Sequence, residues 1–120
     1  MQKTNDFFKQ IMNDIRTDFT KNVIALIQSV PRGKVATYGL IARLAGNPRA
    51  SRQVGWLLHS STDKYDLPWQ RIIKSDGRLS FPSYSSHFMR QKNKLEEEGV
   101  SIINGRVDLK IFLWGNDDDL

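Results

Sequence analysis

The chain has 120 residues, 39% of them hydrophobic and 26% charged, with 18 Lys and Arg against 13 Asp and Glu for a formal net charge of +5; this is the make-up of one globular domain. It has no cysteine, which excludes disulfides, thiolate metal centres and any thiol nucleophile. Its two histidines, His59 and His87, form no ligand-spaced cluster such as HExxH, so neither a metal nor another cofactor is expected.

Residues 1–17 read as an N-terminal extension in which Phe7 to Ile15 make a short helix. From Asp18 onward, Val23, Leu26, Ile27 and Val30 recur at helical spacing, and Pro31 with Gly33 stops the helix they define. Thr37 is placed to cap a second helix with Leu40, Ile41 and Leu44 on its apolar face. Gly46-Asn47-Pro48 makes a turn, and a further helix runs from about Arg49 to Ser60 with Ala50, Val54, Leu57 and Leu58 facing inward. Two short amphipathic helices about a glycine-containing turn form a helix-turn-helix.

A loop is expected over Ser60 to Leu67. Gln70 to Lys74 and Arg78 to Ser80 then read as a hairpin around Ser75-Asp76-Gly77, and Phe88 to Glu98 as a helix. Glu96, Glu97 and Glu98 oppose the dipole of that helix, which points to tertiary partners for them. Val100 to Ile103 and Arg106 to Leu113 flank Asn104-Gly105, a strong hairpin signal. The fold class expected is α+β, a mostly helical, winged-helix-like domain over 18–114 with a helix-turn-helix and short β-hairpins, followed by an acidic tail, 115–120. No stretch approaches the ~20 apolar residues that span a bilayer, and no signal peptide is visible. A cytoplasmic, nucleoid-associated monomer without a membrane partner is expected.

The charge is unevenly placed. Residues 31–94 carry 12 basic and three acidic side chains, while Glu96 to Glu98 and Asp117 to Asp119 gather acid near the C-terminal end. A basic face of this kind suits a polyanion. On the second helix of the pair, Arg49, Arg52, Gln53 and Trp56 project away from the apolar face: either an ordinary solvated surface, or phosphate-binding and base-reading groups beside one large wedge. The surrounding charge favours DNA. Pro68-Trp69-Gln70-Arg71 joins an aromatic to an amide and a guanidinium, a set able to stack on and read an unstacked base, although Trp69 as a core residue is the more ordinary reading. The loop from Phe81 to Ser86 is either a polar pocket wall or a simple turn.

The stretches Pro31-Arg32-Gly33-Lys34-Val35-Ala36-Thr37-Tyr38-Gly39, Ile41 to Gly55, Pro68-Trp69-Gln70-Arg71-Ile72, Asp76-Gly77, Tyr84-Ser85, Glu98-Gly99-Val100 and Gly105 to Leu109 together carry a resemblance. In order and with few gaps, over roughly residues 18 to 114, they are similar to the DNA-binding domain of the O6-alkylguanine-DNA alkyltransferases. The family's active-site pattern is Pro-Cys-His-Arg-Val, with a glutamate behind the histidine. Here Trp69 stands for the cysteine that accepts the alkyl group and Gln70 for the histidine, and Glu98 falls at the glutamate's place with no imidazole to orient. Tryptophan offers no nucleophile of comparable strength. The chain therefore resembles the alkyltransferase-like subgroup, which binds alkylated guanine without removing the alkyl group; a histidine usually follows the tryptophan there, so Gln70 is a second departure.

What the resemblance implies is a non-enzymatic damage sensor that flips O6-alkylguanine out of double-stranded DNA and marks it for nucleotide excision repair proteins. Tyr38 matches the tyrosine that crowds the target phosphate, and Arg52 the arginine that enters the stack from the minor groove. Ala50 and Gly55 allow close approach, and Arg49 and Gln53 complete the DNA-facing set. Tyr84 and Ser85 match a loop that covers the flipped base, with Ser85 a donor to the guanine oxygen. Pro68, Trp69 and Arg71 join Tyr38 in the lesion pocket, and Ser61 stands where the family has a hinge asparagine. The rival reading is a helix-turn-helix transcription regulator without lesion specificity, reading base edges through Arg49, Arg52 and Gln53.

Overall fold

A computed structural model describes residues 18–115 of the chain; the helix expected over 7–15 and most of the acidic tail lie outside these residues. Helix α1 occupies 18–29 within them. It is followed by β1 (Ala36–Thr37), α2 (Tyr38–Leu44), α3 (Ser51–Tyr65), a 3-10 turn (Trp69–Arg71), β2 (Ile72–Ile73), α4 (Ser86–Glu97), β3 (Ile102–Ile103), β4 (Arg106–Val107) and α5 (Leu109–Phe112). The mixed α+β architecture and the helix-turn-helix are as the sequence led us to expect.

Thr37 caps α2 as anticipated, its hydroxyl oxygen accepting from the Leu40 amide at 3.0 Å. In the turn between α2 and α3, Asn47 donates its amide to the Ala42 carbonyl at 3.0 Å. Its side-chain oxygen accepts from the Arg49 amide at 3.1 Å, an Asx-type lock on the geometry of the pair. The inward face of α2 is Ile41 and Ala42, whereas Leu44, expected to share it, is 51% exposed.

Two hydrophobic clusters form the core. The first gathers Val23 and Ile27 of α1 and Val30 just after it with Ile41, Val54, Leu58, Ala36 and Ile72; the second gathers Val35, Ile73, Leu79, Phe88, Leu95, Val100 and Val107. A parallel ladder pairing Ala36 with Ile72 and Thr37 with Ile73 separates them. Successive strand residues face opposite ways, so Ala36 and Ile72 feed one cluster while Val35 and Ile73 feed the other. A hairpin over Gln70–Ser80 would leave one face of Ile72–Ile73 in water. Burial on both faces is what the parallel pairing supplies.

That pairing corrects the hairpin expected here, of which only the turn survives. Lys74 donates to the Arg78 carbonyl at 3.0 Å, while Arg78 itself bridges to Arg106. Gly77 has φ +89°, and an added Cβ would lie 2.6 Å from the Val107 carbonyl oxygen, so only glycine fits this crossing. Asn104-Gly105 forms the anticipated hairpin turn with φ of 54° and 74°, both positive as a type I′ turn requires. Its second strand is shorter than expected. Asp108 caps a helical turn by accepting from the Lys110 amide, so 109–112 leave the strand path.

The loop expected over Ser60–Leu67 is mostly helix. α3 continues to Tyr65 because the Ser60 and Thr62 hydroxyls bond back to the carbonyls of Leu57 and Leu58 rather than breaking the turn. Asp66 ends it in the left-handed conformation, φ 50° and ψ 51°.

Candidate nucleic-acid interface

The segment from Trp69 to Ile73 is held chiefly by α4. Gln91, fully buried, donates its side-chain amide to the carbonyls of Gln70 at 3.2 Å and Ile72 at 3.1 Å. Its oxygen accepts from the Ser80 amide at 2.9 Å, so the buried polar group is satisfied. Two turns further along the same helix face, the Glu98 carboxylate receives Gln70 Nε2 at 2.8 Å, Arg71 Nε at 2.9 Å and the Gly33 amide at 3.0 Å. Gln70 thus fills the place that sequence comparison left empty beside Glu98.

Arg71 is committed here as well, a second donor of its guanidinium reaching the Val30 carbonyl at 2.9 Å. It braces the fold and is not among the residues that line the cavity described next. Pro68 stands immediately before the turn and closes it by accepting from the Arg71 amide at 3.0 Å. Among the described residues no buried side-chain polar atom lacks a partner.

The cavity has a volume of about 340 Å³, near the lower end of the range for sites that hold a small molecule or a base. Tyr38 of α2 lines it, as do Gly55, Leu58, His59, Thr62 and Asp63 of α3; these five positions follow the spacing of one helix face. Opposite them stand Trp69, Ser80, Phe81, His87 and Arg90. Phe81 meets Trp69 edge-on at 6.1 Å and lies 5.2 Å from the His87 ring. The Arg90 guanidinium sits 5.7 Å above the Trp69 ring, a cation–π contact. Trp69 is half-buried, packed on the first core cluster and lining the cavity, so it is a core residue and a wall residue together.

The Tyr38 hydroxyl donates to Ser80 Oγ at 2.8 Å, and Ser80 donates in turn to the Ile72 carbonyl at 2.8 Å. Burial raises the Tyr38 pKa, the Ser80 hydrogen bond opposing this only in part, so the phenol stays neutral and keeps its proton to donate. Gly55 packs on that ring, where an added Cβ would meet Tyr38 Cε1 at an ordinary 3.8 Å.

Tyr84 and Ser85, expected to cover the pocket, are placed elsewhere. Tyr84 is 90% exposed. Ser85 caps α4, accepting from the Phe88 amide at 3.1 Å and donating its hydroxyl to the Pro82 carbonyl at 2.8 Å. Phe81 is the residue of that loop which reaches the cavity. His59, Thr62, Asp63, His87 and Arg90 were not singled out as site residues. The stripe that begins at Gly55 already runs through His59, and would have revealed Thr62 and Asp63 had α3 been carried past Ser60.

On the outer side of α3, Arg49, Arg52, Gln53 and Trp56 are exposed and line one shallow depression. Ala50 is buried at the N-cap position. The DNA-facing set is therefore split. Arg49, Arg52 and Gln53 share the outer face, whereas Gly55 and Tyr38 belong to the cavity. Among the described residues no group of acidic, histidine or cysteine side chains is arranged to hold a metal ion, and no helix is long and apolar enough to cross a membrane.

The family described as 6-O-methylguanine DNA methyltransferase, DNA binding domain, matches residues 18–100. A DNA base-flipping protein of Vibrio parahaemolyticus is 39% identical over 97 residues, which span 80% of this chain and 95% of that protein. Alkyltransferase-like protein 1 of Schizosaccharomyces pombe is 37% identical over 102 residues, 81% of this chain and 94% of that protein. The crystal structure of S. pombe Atl1 in complex with damaged DNA containing O6-carboxymethylguanine superposes with a TM-score of 0.72, covering 82% of this chain and 95% of that one.

The Glu98 network makes stability depend on acid. Burial alone would raise the Glu98 carboxyl, but the hydrogen bonds from Arg71, Gln70 and Gly33 outweigh it and hold the group below its ordinary value. A carboxylate lowered on folding stabilises the protein above its unfolded pKa, and this contribution is lost as pH falls through the folded value. Glu98→Gln should cost about 2 kcal/mol at neutral pH, with the two stability curves converging as pH drops below the carboxylate range. Denaturant unfolding across pH checks this; a constant gap between wild type and variant down to acid pH would contradict it.

Proposed function

Because the chain belongs to the family of the 6-O-methylguanine DNA methyltransferase DNA-binding domain, we propose that it binds duplex DNA at an O6-alkylguanine, turns that nucleotide into the cavity beside Trp69 and leaves the adduct in place. The observation that carries this reading is the wall residue itself. An indole half-buried at Trp69 lines the cavity, in a chain with no cysteine to accept an alkyl group. The adjoining Gln70 amide is tied to Glu98 at 2.8 Å and has no basic nitrogen with which to activate a nucleophile.

The magnitudes favour damaged over intact guanine. Flipping costs a few kcal/mol, and less where alkylation has weakened the base pair. Stacking on an aromatic wall returns about 1–3 kcal/mol per base. The two nearly cancel, so the weakened pair is extruded while an intact one stays in the helix. In this reading Trp69 and Phe81 hold the flipped base and Arg90 steadies the Trp69 ring. Tyr38 crowds the target phosphate from the rim, and Arg52 fills the vacated stack. Arg49 and Gln53 anchor the duplex beside it, with an affinity that falls as salt rises. Tyr84 and Ser85 lie beyond the cavity wall, Tyr84 exposed and Ser85 capping α4.

The relatives' names and the damaged-DNA complex of S. pombe Atl1 support lesion binding by this chain as well. A complex with no catalytic exit must shield its lesion or deliver it. Delivery to nucleotide excision repair is the outcome we infer, because a bulky, distorted and long-lived site is what an excision system can act on.

Arg52→Ala and Trp69→Ala should each lower the preference for an O6-alkylguanine duplex over the matched unmodified duplex by about tenfold, equivalent to about 1.4 kcal/mol. Titrations of both variants check this, and an unchanged preference in both would overturn the assigned roles. Trp69→Cys should not regain efficient alkyl transfer, since Gln70 cannot take the thiol proton. Intact-protein mass spectrometry after incubation with methylated duplex should find the variant unmodified; rapid stoichiometric alkylation would contradict the account.

A further inference from the structure

Trp56 is 67% exposed although it is among the largest apolar side chains in the protein. It stands on α3 one turn beyond Arg52 and borders the same depression as Arg49, Arg52 and Gln53. The lesion cavity lies on a different face of α3, through Gly55, Leu58 and His59, so Trp56 has no part in the pocket. We propose that Trp56 is a second DNA wedge, which enters the minor groove about two base-pair steps from Arg52 and bends the duplex there.

Three observations carry this choice of occupant. The patch is continuous with the basic face given to DNA above, and the inference rests on that reading. On the side of Arg49 and Arg52 the ring borders two guanidinium groups and no acid, which complements a phosphate backbone rather than a basic partner, while Asp18 shares the depression on its other side. The relief of the helix supplies the third. Trp56 is the large apolar side chain that projects from the face of α3 bearing Arg52 and Gln53.

The spacing then follows from standard geometry. Four residues of α-helix rise about 6 Å, and base pairs stack about 3.4 Å apart. A minor groove about 6 Å wide cannot take an indole flat against its floor. Entry between base steps, with the kink toward the major groove that apolar wedges produce, relieves the clash. Arg52 and Trp56 thus divide the work: the guanidinium replaces the flipped nucleotide, and the indole bends the neighbouring duplex whatever its sequence.

The test uses duplexes with one O6-methylguanine and a 2-aminopurine either next to the lesion or two base pairs away on either side, carrying dyes at both ends to report bending. The wild-type protein should raise 2-aminopurine fluorescence beside the lesion and at one of the distant positions, and should shorten the end-to-end distance. Trp56→Ala and Trp56→Gln should keep the signal beside the lesion, lose the distant one and bend the duplex less. Both should bind modified and unmodified duplex about tenfold more weakly with their ratio unchanged, while Trp56→Phe retains most of the effect. Circular dichroism of each variant establishes that it is folded, as the exposure of Trp56 leads us to expect. A wild-type protein silent at the distant positions, or Trp56 variants that bind and bend DNA normally, would overturn the wedge and assign the ring to some other partner. Silence beside the lesion in the wild type would instead defeat the flipping reading on which it rests.

Discussion

The Glu98 carboxylate is the point on which the rest of the site depends. It gathers donors from Gly33, Gln70 and Arg71, and thus from the turn after α1 and from the 3-10 turn that carries Trp69. Gln91, on the same face of α4, takes the backbone of the same segment from its other side. With its peptide fixed at both flanks, the Trp69 ring has little freedom to swing. The segment then runs directly into β2, whose pairing with β1 divides the two halves of the core. The wall of the cavity is therefore anchored to the core through its backbone, as suits a site that holds a base by stacking.

This arrangement also gives the Gln70 substitution a physical meaning. An amide retains the donor that an imidazole would offer to Glu98 but cannot relay a proton. In the function proposed here the brace survives while acid–base function does not. Conserving the fold around a site whose chemistry has been removed is what recognition without turnover needs, and the acidic residues that seemed badly placed at the end of α4 include the one that makes it possible.

Much of this was legible in the sequence, and the gaps have definable causes. The apolar stripe of α1, the Thr37 cap and the Gly46-Asn47-Pro48 turn are local features, and they located the helix-turn-helix correctly. The parallel ladder was missed because Ala36-Thr37 and Ile72-Ile73 are two-residue strands paired across a helical crossover, and no local pattern announces a contact so remote. α3 was cut short because serine and threonine read as loop formers, although here they bond back into their own helix; the cavity residues Thr62 and Asp63 were lost with it. Ser85 and Arg71 were placed in the pocket by resemblance, whereas their hydrogen bonds commit one to a helix cap and the other to Glu98. Residue identity carried the chemistry further than it carried geometry.

The account turns on one claim, that the protein distinguishes an alkylated guanine by extruding it and then lets it go unchanged. The most direct measurement is a competition titration of the wild-type protein against duplexes that differ only by O6-alkylation, repeated in several unrelated flanking sequences, with the DNA and protein recovered and weighed by mass spectrometry. The account predicts preference for the alkylated duplex in every sequence, with the adduct still on the DNA and the protein mass unaltered. Preference that follows the flanking sequence rather than the lesion, or loss of the alkyl group from the recovered DNA, would contradict it.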